Sequence, residues 1–174
     1  MKRGGFLKRK TPLKASGKRT RKKVESYKSW KGYNFRGSKT VNPTISVVKK
    51  DLWDNYVRVA IKERDGYKCC TCGVSCDGSN RHGGHFEPVS TGGALLHFHP
   101  HNIHVQCGKC NANEGNRTEY FPFMEKKYGR EYVDKLLKLK RNTIQADTIF
   151  YEKIRIFYEN RDLDGCAEWL NSFK

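Results

Sequence analysis

The sequence predicts an α+β fold: a small core of two short strands and a helix pinned by cysteines, flanked by helices, behind a basic extended arm. Three observations carry this. All six histidines and six of the seven cysteines lie between Cys69 and Cys110. Apolar residues recur at helical spacing on both sides of that window. Positive charge, finally, is concentrated in the first 50 of the 174 residues.

The arm comes first. Residues 1–50 hold 17 Lys and Arg against a single acid, Glu25, whereas residues 51–174 hold 18 basic and 17 acidic residues. Nearly all of the net charge of +17 therefore belongs to the arm. Few aliphatics and the breakers Pro12 and Pro43 predict an extended, unpacked segment. Such a segment draws a polyanion through phosphate contact and counterion release. Lys8, Arg9, Lys10, Lys18, Arg19, Arg21, Lys22 and Lys23 are its candidate nucleic-acid contacts, and no apolar face accompanies them as a membrane-surface helix would need. Tyr27, Trp30, Tyr33 and Phe35, interleaved with Lys28, Lys31 and Arg36, could stack on bases or anchor the arm to the body. No run approaches 18 apolar residues and no apolar segment follows the basic N-terminus, so neither a membrane span nor a secretory signal is expected. The expected location is the cytoplasm, where cysteines stay reduced and paired CxxC motifs read as metal sites.

The core is expected over 51–117. Asp51 is a candidate cap for a helix carrying Trp53, Tyr56, Val57, Ala60 and Ile61 and ending near Asp65-Gly66. That helix delivers the chain to Cys69-Cys70-Thr71-Cys72, and Cys107-Gly108-Lys109-Cys110 follows after 34 intervening residues. Two CxxC turns can close on one tetrahedral ion, so Cys69, Cys72, Cys107 and Cys110 are read as a structural zinc site. Zinc in such peptides contributes about 10–16 kcal/mol to folding near neutral pH, enough to hold a small core. Cys70, Cys76 and Cys166 are left over.

Between the knuckles, Gly83-Gly84-His85-Phe86 reads as a tight turn entering a strand. After Pro88-Val89-Ser90-Thr91-Gly92-Gly93 a loop leads to Asn102, and Cys107 to Asn111 begins a helix. His97, His99 and His101 alternate as though along one strand face. Hydrolysis of a phosphodiester needs a base for water and a divalent ion on the phosphate. A neutral histidine suits the first near pH 7 and oxygen ligands suit Mg²⁺ or Mn²⁺. Two strands and a helix tied by zinc make the ββα-metal arrangement.

Residues 118–174 read as a helical extension. Thr118 caps a helix to Tyr128 with Pro122 in its first turn and Gly129 as its stop. Helices at about 130–140, 146–160 and 164–172 follow, with apolar stripes that read as core.

Cys69-x-x-Cys72-Gly73, Gly84-His85-Phe86, Asn102-Ile103-His104-x-Gln106-Cys107-x-x-Cys110-Asn111 and Gly115-Asn116 resemble the lambda-type NinG (Rap) recombination proteins of phages, a branch of the HNH nucleases. The likeness covers about 69–137. It implies a zinc-stabilised HNH-like endonuclease that cuts branched recombination intermediates, with DNA and host or phage recombination proteins as partners. Carried over residue by residue, His85 matches the general base, Asn102 the asparagine that orients its turn, and Asn111 the last, metal-binding position. Many HNH enzymes place a metal-binding Asp before the base, and Gly84 stands there. His104 is the first candidate to replace it as a ligand of Mg²⁺ or Mn²⁺, ahead of Asp77, His82, Glu87 and His101. Lys109 and Arg117 are expected at phosphates. Two other readings compete: a zinc-scaffolded DNA-binding accessory that does not cut, and a sequence-specific homing or restriction-type HNH enzyme.

Overall fold

The computed structural model describes residues 44–112 and 115–173. The arm's candidate contacts from Lys8 to Lys23, and its aromatics, lie outside those residues. The first helix begins at Ile45 and not at Asp51. Ile45–Leu52 runs through a π-helical turn, Trp53–Val57, into Arg58–Asp65, and the three make one rod, α1 (45–65). Asp51 is therefore internal and no cap. Its Oδ1 accepts from Asn55 Nδ2 at 2.7 Å while Oδ2 is buried without a partner, and burial raises its carboxyl above the ordinary value. Val48, Leu52, Val57, Ala60 and Ile61 fill the buried side of the rod.

Strands β1 (His82–His85) and β2 (Ile103–Gln106) pair antiparallel, with Gly84 opposite His104 and His85 opposite Ile103. The segment between them is not the loop expected from its glycines. It forms α2 (Val89–His97), kinked at Gly93 (φ 65°), then a 3₁₀ turn, Pro100–Asn102. Nor do His97, His99 and His101 share a strand face: one ends α2, one precedes the 3₁₀ turn and one lies in it. The short α3 (Gly108–Ala112) follows β2 directly, so the predicted strand, strand, helix order is present.

The extension forms α4 (Arg117–Tyr128), α5 (Arg130–Lys138), α6 (Thr148–Glu159) and α7 (Leu163–Asn171). Gly129, at φ 83°, separates the first two as its freedom from a Cβ allows. Asn116 and not Thr118 stands at the head of α4, which puts Pro122 two residues further inside than expected. Asp147 and Asp162 cap α6 and α7 through Phe150 N and Gly165 N, each at 2.9 Å. Tyr120, Met124 and Val133 share one hydrophobic core with Phe86, Ile103 and Val105. A polar seam fixes the rod to β2: Arg64 donates to Pro100 O and Ile103 O, and Asp65 accepts from Val105 N at 3.0 Å. Among the described residues no helix is long and apolar enough to cross a membrane.

Candidate metal centre and catalytic pocket

The sulfurs of Cys69, Cys72, Cys107 and Cys110 lie within 4.8 Å of one another, and those of Cys72 and Cys107 are 3.8 Å apart. Four sulfurs at a zinc–sulfur distance of about 2.3 Å in a tetrahedron sit about 3.8 Å from each other, so the cluster fits the ion. Each knuckle is built by its backbone. Cys69 N donates to Val74 O and Gly73 N to Cys69 O, both at 2.9 Å, with Gly73 at φ 73°. Cys70 N donates to Val105 O at 2.8 Å, which ties the first knuckle to β2. The second knuckle is the junction of β2 and α3, where Asn111 N donates to Cys107 O at 3.0 Å. Burial raises the Cys69 thiol, but N–H groups of Cys72, Cys107 and Thr71 outweigh it and bring it down to about 6. Burial and the neighbouring thiols push Cys110 up to about 12. Four thiols at such range do not ionise together without a cation. Cys70 and Cys76 stand outside the cluster, and burial raises both.

His85 ends β1, and its ring stacks on Trp53 with centroids 5.2 Å apart. Its Nε2 lies 2.9 Å from His97 O. A carbonyl only accepts, so Nε2 carries the proton and Nδ1 keeps the lone pair. Burial lowers the His85 pKa below the ordinary value, partly countered by the His97 carbonyl, so the ring is neutral at pH 7. Asn102, with no exposed surface, clamps the chain after His85. Its Oδ1 accepts from Glu87 N at 2.8 Å, and its Nδ2 donates to Glu87 O and Leu96 O at 3.0 and 2.9 Å. It thus fixes the start of α2 against its end without reaching the pocket itself.

Asn111, from the first turn of α3, meets His85 in a cavity of ≈ 420 Å³ that Ser90, Gly115 and Arg117 also line. Arg117 donates to Glu87 Oε2 at 2.8 Å. Glu87, also held by Thr91 and facing Lys140 at 3.6 Å, has its charge compensated within the protein. Lys109 is exposed and does not line the cavity.

The expected ligand role of His104 does not stand. Tyr120 donates its hydroxyl to Gly84 O at 3.0 Å, so it accepts from His104 Nδ1 at 3.0 Å. His104 Nε2 then accepts a hydrogen bond from the Tyr128 hydroxyl at 2.9 Å. Both nitrogens are engaged in a ring with no exposed surface, and no lone pair remains for a metal. His101 is likewise held, by Tyr132 at 2.6 Å and Asp164 at 3.5 Å. Asp77 is exposed, and neither it nor Glu87 lines the His85 cavity.

The space beside Gly84 is taken by Gln106. A Cβ at Gly84 would stand 1.8 Å from Gln106 Oε1. Gln106 Nε2 donates to Thr71 Oγ1 and Gly115 O, both at 2.6 Å, while Oε1 is buried with no donor. A neutral oxygen thus sits where a carboxylate at position 84 would begin, and Gly115, lining the cavity, would place a Cβ 4.0 Å from it. Reading the sequence missed Gln106, although it lies in the quoted motif. Gly84→Ala is expected to destabilise the protein by about 1–3 kcal/mol through overpacking against a doubly bonded amide. Gln106→Ala should relieve part of that loss. Urea denaturation of the two single variants and the double variant measures the coupling, and additive losses would show that the contact is not the cause.

The chain matches the family model described as Bacteriophage Lambda NinG protein over residues 3–162, a wider span than the motifs alone cover. Comparison with curated proteins and with solved structures gave no match.

Proposed function

The chain belongs to the family of the bacteriophage lambda NinG protein, and from that premise we propose that it is a zinc-scaffolded, metal-dependent endonuclease of the HNH kind that cuts branched DNA formed during phage recombination. The carrying observation is the shared cavity of His85 and Asn111, with Arg117 at its edge. His85 takes a proton from water at Nδ1, the water oxygen attacks phosphorus, and the bond to the leaving oxygen breaks. The proton then passes from the ring to solvent. Asn102 is a positioning residue that holds the His85 turn, and Arg117 meets phosphate oxygens. Asn111, which lines the cavity, offers its Oδ1 as an oxygen donor suited to Mg²⁺ or Mn²⁺. When bound, such an ion neutralises charge on the phosphate and the leaving oxygen.

The accessory reading, binding without cutting, draws on Gly84, because the neutral amide of Asn111 holds a divalent ion more weakly than a carboxylate does. Incubation with a four-way junction, a flap and a linear duplex of the same sequence, in Mg²⁺, Mn²⁺ or EDTA, decides between them. The expected result is cleavage of junction or flap with metal and none in EDTA. Binding without product in any divalent ion would establish the accessory, and cutting that follows sequence irrespective of branching would establish the homing or restriction kind.

A further inference from the structure

A second concavity, of ≈ 640 Å³, lies beside the His85 cavity and shares Asn111 with it. Arg58 and Lys62 of α1, Arg81, and His82 of β1 line it, and Trp53 joins them. No carboxylate is among its lining residues. Arg58 and Lys62 are one helical turn apart and face the same way. Asp54, outside the lining, reaches Arg58 at 3.9 Å. Arg81 is steadied over the Tyr67 ring at 4.3 Å and donates to Gly66 O at 3.5 Å, and among the described residues no carboxylate pairs with it. Lys62 has no acidic partner among the described residues. Burial, with repulsion from Arg58 and Arg81, lowers its pKa below the ordinary lysine value.

We infer that this groove is the track of a DNA strand, whose phosphates lie along Arg58, Lys62 and Arg81 before the chain crosses Asn111 into the His85 cavity. The inference rests on nucleic acid being the substrate, and not on its being cut. Two features select a continuous polyanion over a small anion. The groove and the cavity are contiguous, so one strand occupies both where a single phosphate fills one. Trp53 also borders the groove and stacks on His85, so an aromatic surface runs from one to the other. The folded body, nearly neutral in sum, thereby presents a concentrated positive strip next to the chemistry, independent of the N-terminal arm. The strip was illegible in the sequence because its cations come from a helix and from the approach to a strand some twenty residues later.

Binding of a labelled junction by the full-length protein, measured in EDTA by fluorescence anisotropy, tests this. Lys62→Glu with Arg81→Glu is expected to weaken binding by at least about ten-fold at moderate salt. It should also make the slope of log K against log salt shallower by about 1.8, the effect of two lost phosphate contacts. Lys135→Glu with Lys138→Glu, an equal charge change on exposed positions of α5, is expected to cost less than about two-fold. Lys62→Gln with Arg81→Gln, melting like the wild type, should show the same ranking if charge reversal disturbs folding. Wild-type binding with an unchanged groove variant, or equal losses in both pairs, would overturn the groove alone. Absence of wild-type binding would overturn it together with the nucleic-acid reading.

Discussion

Stripping the metal from the four-cysteine cluster is expected to unfold the site region. Elemental analysis of the purified protein should give one zinc per chain, and Cys72→Ser or Cys107→Ser should bring this close to zero. A structural zinc contributes about 10–16 kcal/mol, against a total stability of about 5–15 kcal/mol for an ordinary domain. The apo form therefore has little or no margin. Cys107 joins β2 to α3, and the first knuckle is hydrogen-bonded to β2 through Cys70 N. Opening the cluster releases both and removes Asn111 from His85. Loss of a cooperative thermal transition on chelation, restored by added Zn²⁺, is the expected outcome. A serine variant that melts like the wild type and still holds one zinc would contradict it.

Replacing the proposed base gives the second large effect. His85→Ala is expected to lower metal-dependent cleavage by about 10²–10⁴-fold, the usual contribution of general-base catalysis. Junction binding should stay within about two-fold, since the ring lies beside the groove cations and adds no charge of its own. Undiminished cutting would sink the assignment. The pH dependence carries a sign. A buried histidine with a lowered pKa is protonated only below its ordinary value of 6.5. The base form thus persists through neutral pH, and the acid limb of the rate profile should fall below pH 6.5, not above it.

Much of the architecture was legible because it rests on local signals. The cysteine spacing marked both knuckles, Gly129 marked a helix end, and the apolar stripes marked the four C-terminal helices. What escaped notice depends on contacts between distant residues. Gly92-Gly93 reads as a break, yet Asn102 bonds Leu96 O and Glu87 from outside the helix and Gly93 absorbs the kink. His104 looked like a ligand because nothing local shows that Tyr120 and Tyr128 converge on it. The answer to the missing acid at Gly84 was equally non-local, since Gln106 on the neighbouring strand fills the room a side chain there would need.

The π-helical turn at Trp53–Val57 reaches beyond its five residues. One wide turn re-phases a rod whose regular step is about 100° per residue. The stretch before it, Ile45–Leu52, lies against α6, while the stretch after it, Arg58–Asp65, lies against β1 and β2. The rod acts as a crankshaft, with two journals set out of phase and the Trp53 indole on the bearing between them. Sheet and C-terminal helices are thereby geared to one shaft, and the π-helical turn sets the angle at which they mesh.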